Sequence, residues 1–369
     1  MASNTNSLPG EYFTSPAIHL DELKNIFYKR WLCIGRAEQI ASPGDYFLQN
    51  IGDESVIVVR GQDGQVRAFF NLCRHRGTRI CTEERGAFSK SIQCPYHAWT
   101  YGLDGSLIGV PDGHSMEGLD KDQLGLHPVS IEEWQGFLYI NLSRDPSPLA
   151  EAIGPLAGRV ERWGLPSLRR ASQIAYDVAA NWKLIVENYN ECYHCPIIHP
   201  QLNELSNYRS GTDDLNHGTV LGGFMMLAEG SESMSLEGGY CAPPLDTIEE
   251  IDLSRVYYYS VFPNMLLSLH PDYVMFHTLW PQGPERTRIV CEWLFSPDAM
   301  SAPDFSPESA VAFWDETNRQ DWHVCELSQM GVRSMAYTPG PYHFWHESLL
   351  AEFDRQVLTA LGRENTGAD

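Results

Sequence analysis

The chain has 369 residues, of which 43% are hydrophobic and 20% charged, so it can bury a sizeable core and is not a mostly disordered protein. This length favours two domains. A formal net charge of −22 argues against nucleic acid and anionic membranes as partners, because both bind basic surfaces. No apolar run approaches the roughly 18 residues of a membrane span, and residues 1–10 lack the basic and apolar parts of an export signal, so we expect a cytoplasmic protein.

The first predicted element is an N-terminal helix. Ser15-Pro16 can begin it, and apolar residues then recur at the three- and four-residue spacing of a helix face: Leu20, Leu23, Ile26, Phe27 and Trp31. We assign residues 1–40 to this helical segment.

A β-rich region follows the predicted helix. Between about residues 46 and 142, short runs of β-branched and aromatic residues alternate with turn signals such as Asp63-Gly64 and Asp104-Gly105. The next stretch is rich in proline, glycine and alanine, which is typical of a connection between domains. We therefore predict a small antiparallel β domain at 41–165.

The first candidate metal site lies in this β domain. A C-x-H motif and a C-x-x-H motif, separated by 18 residues, supply Cys73, His75, Cys94 and His97. In a Rieske [2Fe–2S] cluster, two thiolates hold one iron and two imidazoles hold the other. Zinc also accepts two cysteines and two histidines, but zinc fingers usually place both cysteines before both histidines. The spacing therefore favours a cluster that carries single electrons.

Residues 166–369 predict a second domain. Helical spacing is found at 181–194, 307–331 and 342–361, and strand-like segments lie between 255 and 295. The mixture of helices and strands predicts an α+β domain large enough to enclose a substrate.

The second candidate metal site lies at the end of the first of these helices. His194 and His199 are five residues apart and would diverge by about 140° on an unbroken helix. Pro196 ends the helix, so both imidazoles can approach one ion. Two histidines and one carboxylate form the facial triad of non-haem Fe(II) oxygenases.

Other interpretations of this histidine pair remain open. Isolated His-x4-His pairs also occur in packed cores, and Cys192 and Cys195 form a C-x-x-C motif that suits a redox site or, together with the histidines, a zinc site. Nine cysteines in a chain without an export signal argue against a disulfide framework and favour metal ligation or burial.

The chain resembles the α subunits of Rieske non-haem iron oxygenases in three features: the two loops, the segment ENYNECYHCPIIHP, and the later Asp321 before the C-E-x-x-Q motif. Within that family the chain is most similar to the glycine betaine, choline and carnitine monooxygenase group. The resemblance implies an α+β fold, in which an all-β Rieske domain precedes a helix-grip-like catalytic domain with an antiparallel sheet and flanking helices.

The resemblance also implies the roles of individual residues. The two loops would hold the [2Fe–2S] cluster, and His194, His199 and Asp321 would hold the mononuclear iron. Glu191, three residues before His194, would hold that imidazole and link the two centres, because His97 of a neighbouring subunit reaches this carboxylate in the family's head-to-tail homotrimer. Ring dioxygenases usually have aspartate at this position, so glutamate favours an amine substrate.

We therefore expect a terminal oxygenase that receives electrons from NAD(P)H through a ferredoxin-type reductase and hydroxylates an N-methyl group of a quaternary ammonium compound, with loss of formaldehyde. One alternative is an aromatic or heteroaromatic acid dioxygenase, which would need a basic residue in its pocket. Another is a Rieske electron carrier without catalysis. Aromatic rings suit a trimethylammonium group, and the pocket candidates are Glu187, Asn188, Thr317, Tyr258 and Phe276.

Overall fold

A computed structural model describes residues 6–363 and divides the chain into two compact units. Tyr28–Ser147 form the small unit, and the residues on either side of them together form the large unit. None of the described helices is long and apolar enough to cross a membrane. The expected α+β class is confirmed, because the small unit is built from strands and the large unit combines a sheet with helices.

The small unit contains ten strands in two antiparallel sheets. Their bounds are β1 Leu32–Arg36, β2 Asp45–Ile51, β3 Glu54–Arg60, β4 Val66–Phe70, β5 Arg85–Ala87, β6 Ser91–Gln93, β7 Thr100–Gly102, β8 Leu107–Gly109, β9 Pro128–Trp134 and β10 Phe137–Asn141. The larger sheet has the order β1-β10-β9-β4-β3-β2-β5, and the smaller sheet has the order β6-β7-β8. Both cysteine–histidine loops leave this framework, one after β4 and one between β6 and β7.

The predicted domain boundaries need correction at both ends of the small unit. The N-terminal helix continues as a π-helical turn, Leu23–Phe27, and ends there. Leu32 pairs with Ile140 in the sheet, so residues 28–40, including the short 3-10 helix Ala37–Ile40, belong to the small unit and not to the N-terminal helical segment. Residues 148–165, which we assigned to the β domain, belong to the large unit. There the indole N–H of Trp163 donates to the His270 carbonyl at 2.9 Å, a contact between residues far apart in sequence that no local pattern could reveal.

The large unit packs helices against a seven-stranded antiparallel sheet of order β11-β17-β16-β15-β14-β13-β12. The strands are β11 Arg169–Val178, β12 Thr212–Leu215, β13 Val220–Met226, β14 Arg255–Val261, β15 Met265–Leu269, β16 Val274–Gly283 and β17 Arg286–Phe295. The helices are α1 Glu11–Thr14, α2 Pro16–Glu22, α3 Leu149–Ile153, α4 Trp182–Tyr189, α5 Cys195–Ile198, α6 Pro200–Leu205, α7 Pro297–Met300, α8 Glu308–Val332 and α9 Ser348–Ala360.

The predicted helix at 181–194 is shorter than expected. Asn181 caps α4, because its side chain accepts a hydrogen bond from the Lys183 amide at 3.0 Å. The helix ends at Tyr189, and the chain bends before α5 begins. Pro196 lies in the first turn of α5, where the missing amide proton is not needed. It therefore starts a helix instead of ending one.

A buried ion pair fixes α4 on the N-terminal segment. The Lys183 ammonium contacts the Glu22 carboxylate, and neither side chain is more than 1% exposed. The same carboxylate accepts a hydrogen bond from the Trp182 indole at 2.9 Å. Two charges removed from water in this way stabilise the fold only while both are present.

We expect Glu22→Ala to destabilise the large unit by about 3–5 kcal/mol, because it leaves the Lys183 ammonium buried without a counter-charge. The double variant Glu22→Leu/Lys183→Met should regain most of that loss. Urea unfolding followed by tryptophan fluorescence measures both, and Asp177→Ala, which breaks the exposed pair with Arg286, is the control. Equal stabilities of the single and double variants would contradict the ion pair's role.

Candidate metal centres and substrate cavity

The two cysteine–histidine loops of the small unit have the same backbone turn. In the first loop the Cys73 amide donates to the Thr78 carbonyl at 2.8 Å and the Gly77 amide donates back to the Cys73 carbonyl at 2.9 Å. In the second, the Cys94 amide donates to the Trp99 carbonyl at 2.8 Å and the amide four residues after Cys94 donates back at 3.1 Å. Gly77 adopts a φ of +73°, which glycine tolerates.

These turns separate the sulfurs from the imidazoles. Cys73 and Cys94 are buried in the apolar core of the small unit, whereas His75 is exposed and His97 is half-buried. The two imidazole rings lie 4.8 Å apart between centroids. Two buried thiols and two outward imidazoles fit a Rieske cluster, in which the histidine-bound iron is the more exposed one.

The sequence analysis missed one residue of this site. The Tyr101 hydroxyl accepts a hydrogen bond from the Arg74 amide at 3.0 Å and lies 3.3 Å from the Cys73 sulfur. A cluster-bound Cys73 thiolate can only accept, so the Tyr101 hydroxyl would donate to it, and hydrogen bonds to cluster sulfurs tune the reduction potential. Tyrosines are common in strands, so no sequence pattern distinguished this one.

In the large unit, the fold brings His194, His199 and Asp321 together. One ligand atom of each lies within 4.8 Å of the others. The Nε2 atoms of His194 and His199 are 3.2 and 2.6 Å from one oxygen of Asp321. His194 precedes α5, His199 follows it, and α8 supplies the carboxylate. The resemblance implied Asp321 as the carboxylate ligand, and the tertiary structure places this residue beside both histidines.

The chemistry of these donors fits a cation. Burial alone would lower the pKa of His194, but hydrogen bonds to Asp321 and Glu191 raise it to about 10. The site therefore holds a positive charge strongly, and a metal ion can take the place of that proton. Two imidazoles and one carboxylate are the ligand set typical of non-haem Fe(II) enzymes.

Glu191 contacts His194 as predicted, although for a different reason. Its carboxylate accepts a hydrogen bond from Nδ1 of His194 and also from the backbone amides of Tyr193 and His194. We expected one helix face to bring the two residues together, but α4 has already ended at Tyr189. The bend between α4 and α5 produces the contact.

Cys192 and Cys195 form a disulfide that encloses this bend. We had expected metal ligation or burial in place of a disulfide framework, and for these two cysteines a redox or zinc site remained open. Sulfurs joined in a disulfide are not thiolates, which argues against the zinc interpretation of the C-x-x-C motif.

A cavity of about 170 Å³ lies beside the three metal-ligand candidates. Asn188, Thr317 and Tyr258 line it, as predicted. Its aromatic wall also contains Tyr189 and Trp314, whose rings lie 6.2 and 6.3 Å from that of Tyr258. Within residues 6–363, no lysine or arginine lines this cavity.

Two predicted pocket residues lie elsewhere. Phe276 is fully buried on the opposite face of β16, because its neighbour His277 points to α8 and contacts Asn318 at 3.2 Å. Glu187 faces away from the cavity and lies against Asp354 in a buried cluster. A helix continuing through 194 would have placed Glu187 one turn before Glu191 and on the same face, but the chain leaves the helix between them.

Trp314 could have been found from sequence. It lies three residues before Thr317 and seven before Asp321, so all three share one face of α8. Extending the helical spacing by one further turn from Asp321 would have included it in the predicted pocket.

Comparison with known proteins agrees with this geometry. Residues 30–120 match the Rieske [2Fe-2S] domain, and residues 165–363 match the ring hydroxylating alpha subunit (catalytic domain). The chain belongs to the ring-hydroxylating Rieske oxygenases. It is therefore an oxidoreductase, the terminal component of an oxygenase system, and its cofactors are a [2Fe–2S] cluster and a mononuclear iron.

Relatives of this Rieske oxygenase include amine oxidisers. The chain is 32% identical to the glycine betaine monooxygenase oxygenase subunit of Chromohalobacter salexigens, over 94% of this chain and 84% of the relative. A quaternary ammonium Rieske monooxygenase has the same fold, with a TM-score of 0.81 at 23% identity, covering 98% of this chain and 96% of the other. Naphthalene 1,2-dioxygenase from a Rhodococcus species also shares it, with a TM-score of 0.78 at 21% identity over 98% and 95% of the two chains. The fold alone therefore does not select the substrate.

The stability of the oxygenase should depend on pH because Glu187 and Asp354 are buried acids. Burial raises the pKa of both carboxyl groups, that of Asp354 to about 7. Unfolded carboxyl groups ionise near pH 4, so the folded oxygenase binds more protons than the unfolded chain and its stability falls as the pH rises from about 4 to about 7.

Glu187→Gln offers Asp354 an amide donor in place of the proton. We expect this variant to be more stable than the wild type at pH 8, by roughly 1–3 kcal/mol, and to lose much of the pH dependence. Urea unfolding at several pH values measures it, with Glu229→Gln at an exposed position as the control. Parallel pH profiles of wild type and Glu187→Gln would contradict the interpretation.

Proposed function

We propose that this Rieske oxygenase hydroxylates an N-methyl group of a quaternary ammonium compound similar to glycine betaine. The aromatic wall of the cavity carries the proposal. Tyr189, Tyr258 and Trp314 surround a space beside the metal-ligand candidates, and aromatic faces stabilise a trimethylammonium group that cannot donate hydrogen bonds.

The charges around the cavity support the same substrate class. Asp213 and Glu191 contribute carboxylates to its lining, and within residues 6–363 no lysine or arginine lines it. The carboxylate of an aromatic acid would therefore find no lysine or arginine to bind, whereas a betaine is neutral overall. This observation disfavours the aromatic acid dioxygenase.

The reaction balances with two electrons from NAD(P)H, delivered through a separate reductase. Iron held by His194, His199 and Asp321 would supply O2 activation. One oxygen atom enters a C–H bond of the N-methyl group and the other leaves as water. The resulting carbinolamine breaks its C–N bond, so formaldehyde, a proton and a tertiary amine are released. The aromatic wall would orient the methyl group and keep water away from it.

We further propose that Glu191 links the two metal centres between neighbouring subunits of a homotrimer. Apolar side chains near it are exposed, with Tyr193 50% and Ile197 82% accessible, as is Trp345 at 78%. Exposed apolar groups of this kind often mark a protein contact. In the proposed assembly, His97 of the neighbouring subunit would reach the Glu191 carboxylate there.

The direct test is substrate-dependent formaldehyde release. We expect the iron-loaded oxygenase, supplied with a reductase and NADH, to release one formaldehyde per O2 consumed with a trimethylammonium compound and to leave benzoates unchanged. The panel would contain glycine betaine, carnitine, choline and aromatic acids. O2 uptake coupled only to an aromatic acid would refute the proposed substrate class.

We expect Glu191→Ala to keep the cluster and, at saturating Fe(II), the mononuclear iron, while reducing turnover at least a hundredfold, because the cluster and the iron would lose their connection. The visible spectrum of the cluster and the iron content measure the centres, and stopped-flow oxidation of the reduced cluster measures the transfer. Glu204→Ala, at an exposed position on α6, is the control. Cluster oxidation at the wild-type rate in Glu191→Ala would exclude the link.

A further inference from the structure

The imidazole of His199 is held at both ends by consecutive residues of α8. Its Nε2 faces the Asp321 oxygen at 2.6 Å, and its Nδ1 lies 2.7 Å from Oε1 of Gln320. The ring itself is 2% exposed, so water has little access to either nitrogen. The side chain of Gln320 is therefore the hydrogen-bond partner available to Nδ1.

A second hydrogen bond fixes the orientation of the Gln320 amide. Its Nε2 group donates to Oε1 of Glu316 at 2.9 Å, one turn earlier on α8. An ionised carboxylate can only accept hydrogen bonds. The amide must therefore turn its NH2 group to Glu316 and its oxygen to His199, which makes Nδ1 of His199 the donor.

We propose that Gln320 is a positioning residue for the iron site, which selects the tautomer of His199 that leaves the Nε2 lone pair free for the metal. Glu191 has the corresponding contact with Nδ1 of His194. A partner of this kind fixes the ring orientation of a metal-bound histidine. The inference rests on the proposed assignment of His199 as an iron ligand.

The choice of an amide instead of a carboxylate follows from charge. Asp321 and Glu191 already provide two negative charges, which balance one Fe(II) ion. A third carboxylate in contact with the ligand set would give a buried site a net negative charge, and such charge is unfavourable away from water. Gln320 orients the imidazole without adding charge, because Glu316 lies on the exposed side of the helix.

Two substitutions separate orientation from charge. Gln320→Leu removes the acceptor at nearly constant size, and Gln320→Glu keeps the acceptor but adds a charge. Gln201→Leu on α6 is the matched control, because this exposed glutamine contacts only a backbone carbonyl in the described part of the chain. Anaerobic Fe(II) titration of the metal-free protein gives the affinity, and EPR of the ferrous protein treated with nitric oxide reports the ligand geometry.

We expect Gln320→Leu to weaken Fe(II) binding roughly 10- to 100-fold and to change the EPR spectrum. Gln320→Glu should bind Fe(II) nearly as well as the wild type but show a shifted spectrum. An unchanged affinity and spectrum in Gln320→Leu would overturn the proposal; if that variant does not fold, the same result in Gln320→Ala, which also removes the acceptor, would overturn it. These metal readouts do not depend on substrate, so a failed demethylation assay would refute the proposed reaction and leave the role of Gln320 to be decided separately.

Discussion

The Nε2 atoms of His194 and His199 meet a carboxylate oxygen of Asp321 inside the large unit. When both imidazoles are neutral and carry their proton on Nδ1, none of these three atoms has a proton to share with the others. The arrangement is unfavourable without a positive charge at its centre, which is why the pKa of His194 rises to about 10 despite burial. The surrounding structure keeps the three groups in place. Glu191 and Gln320 hold the outer nitrogens of the rings, and α8 holds the carboxylate.

The bend between α4 and α5 makes this arrangement possible. A continuous helix would carry His194 and His199 to different sides, whereas the chain leaves helical geometry after Tyr189 and resumes it at Cys195. The Cys192–Cys195 disulfide encloses the bend, and the buried Glu22–Lys183 pair fixes the helix that precedes it. Lys183 of the ion pair, the disulfide and both histidines thus lie within residues 183–199.

Side chains alternate between the two faces of the sheet in the large unit, so neighbouring residues of one strand have different surroundings. Tyr258 and His277 point to the helices, where the cavity and the metal-ligand candidates lie, and Phe276 points to the opposite face. The cavity combines aromatic rings with carboxylates, and no lysine or arginine among the described residues lines it. This lining, and not the fold shared with a naphthalene dioxygenase, supports the proposed quaternary ammonium substrate.

The sequence by itself indicated a Rieske cluster at the first centre, because each of its two loops supplies one cysteine and one histidine, and it singled out His194 and His199 for the second. It also determined α8, whose apolar periodicity extends over many turns. Only the tertiary structure decided that Asp321 lies beside the two histidines, that Glu187 and Phe276 lie outside the cavity, and that residues 148–165 belong to the large unit. Periodicity shows which residues share a face of one element, but contacts between distant elements decide what that face meets.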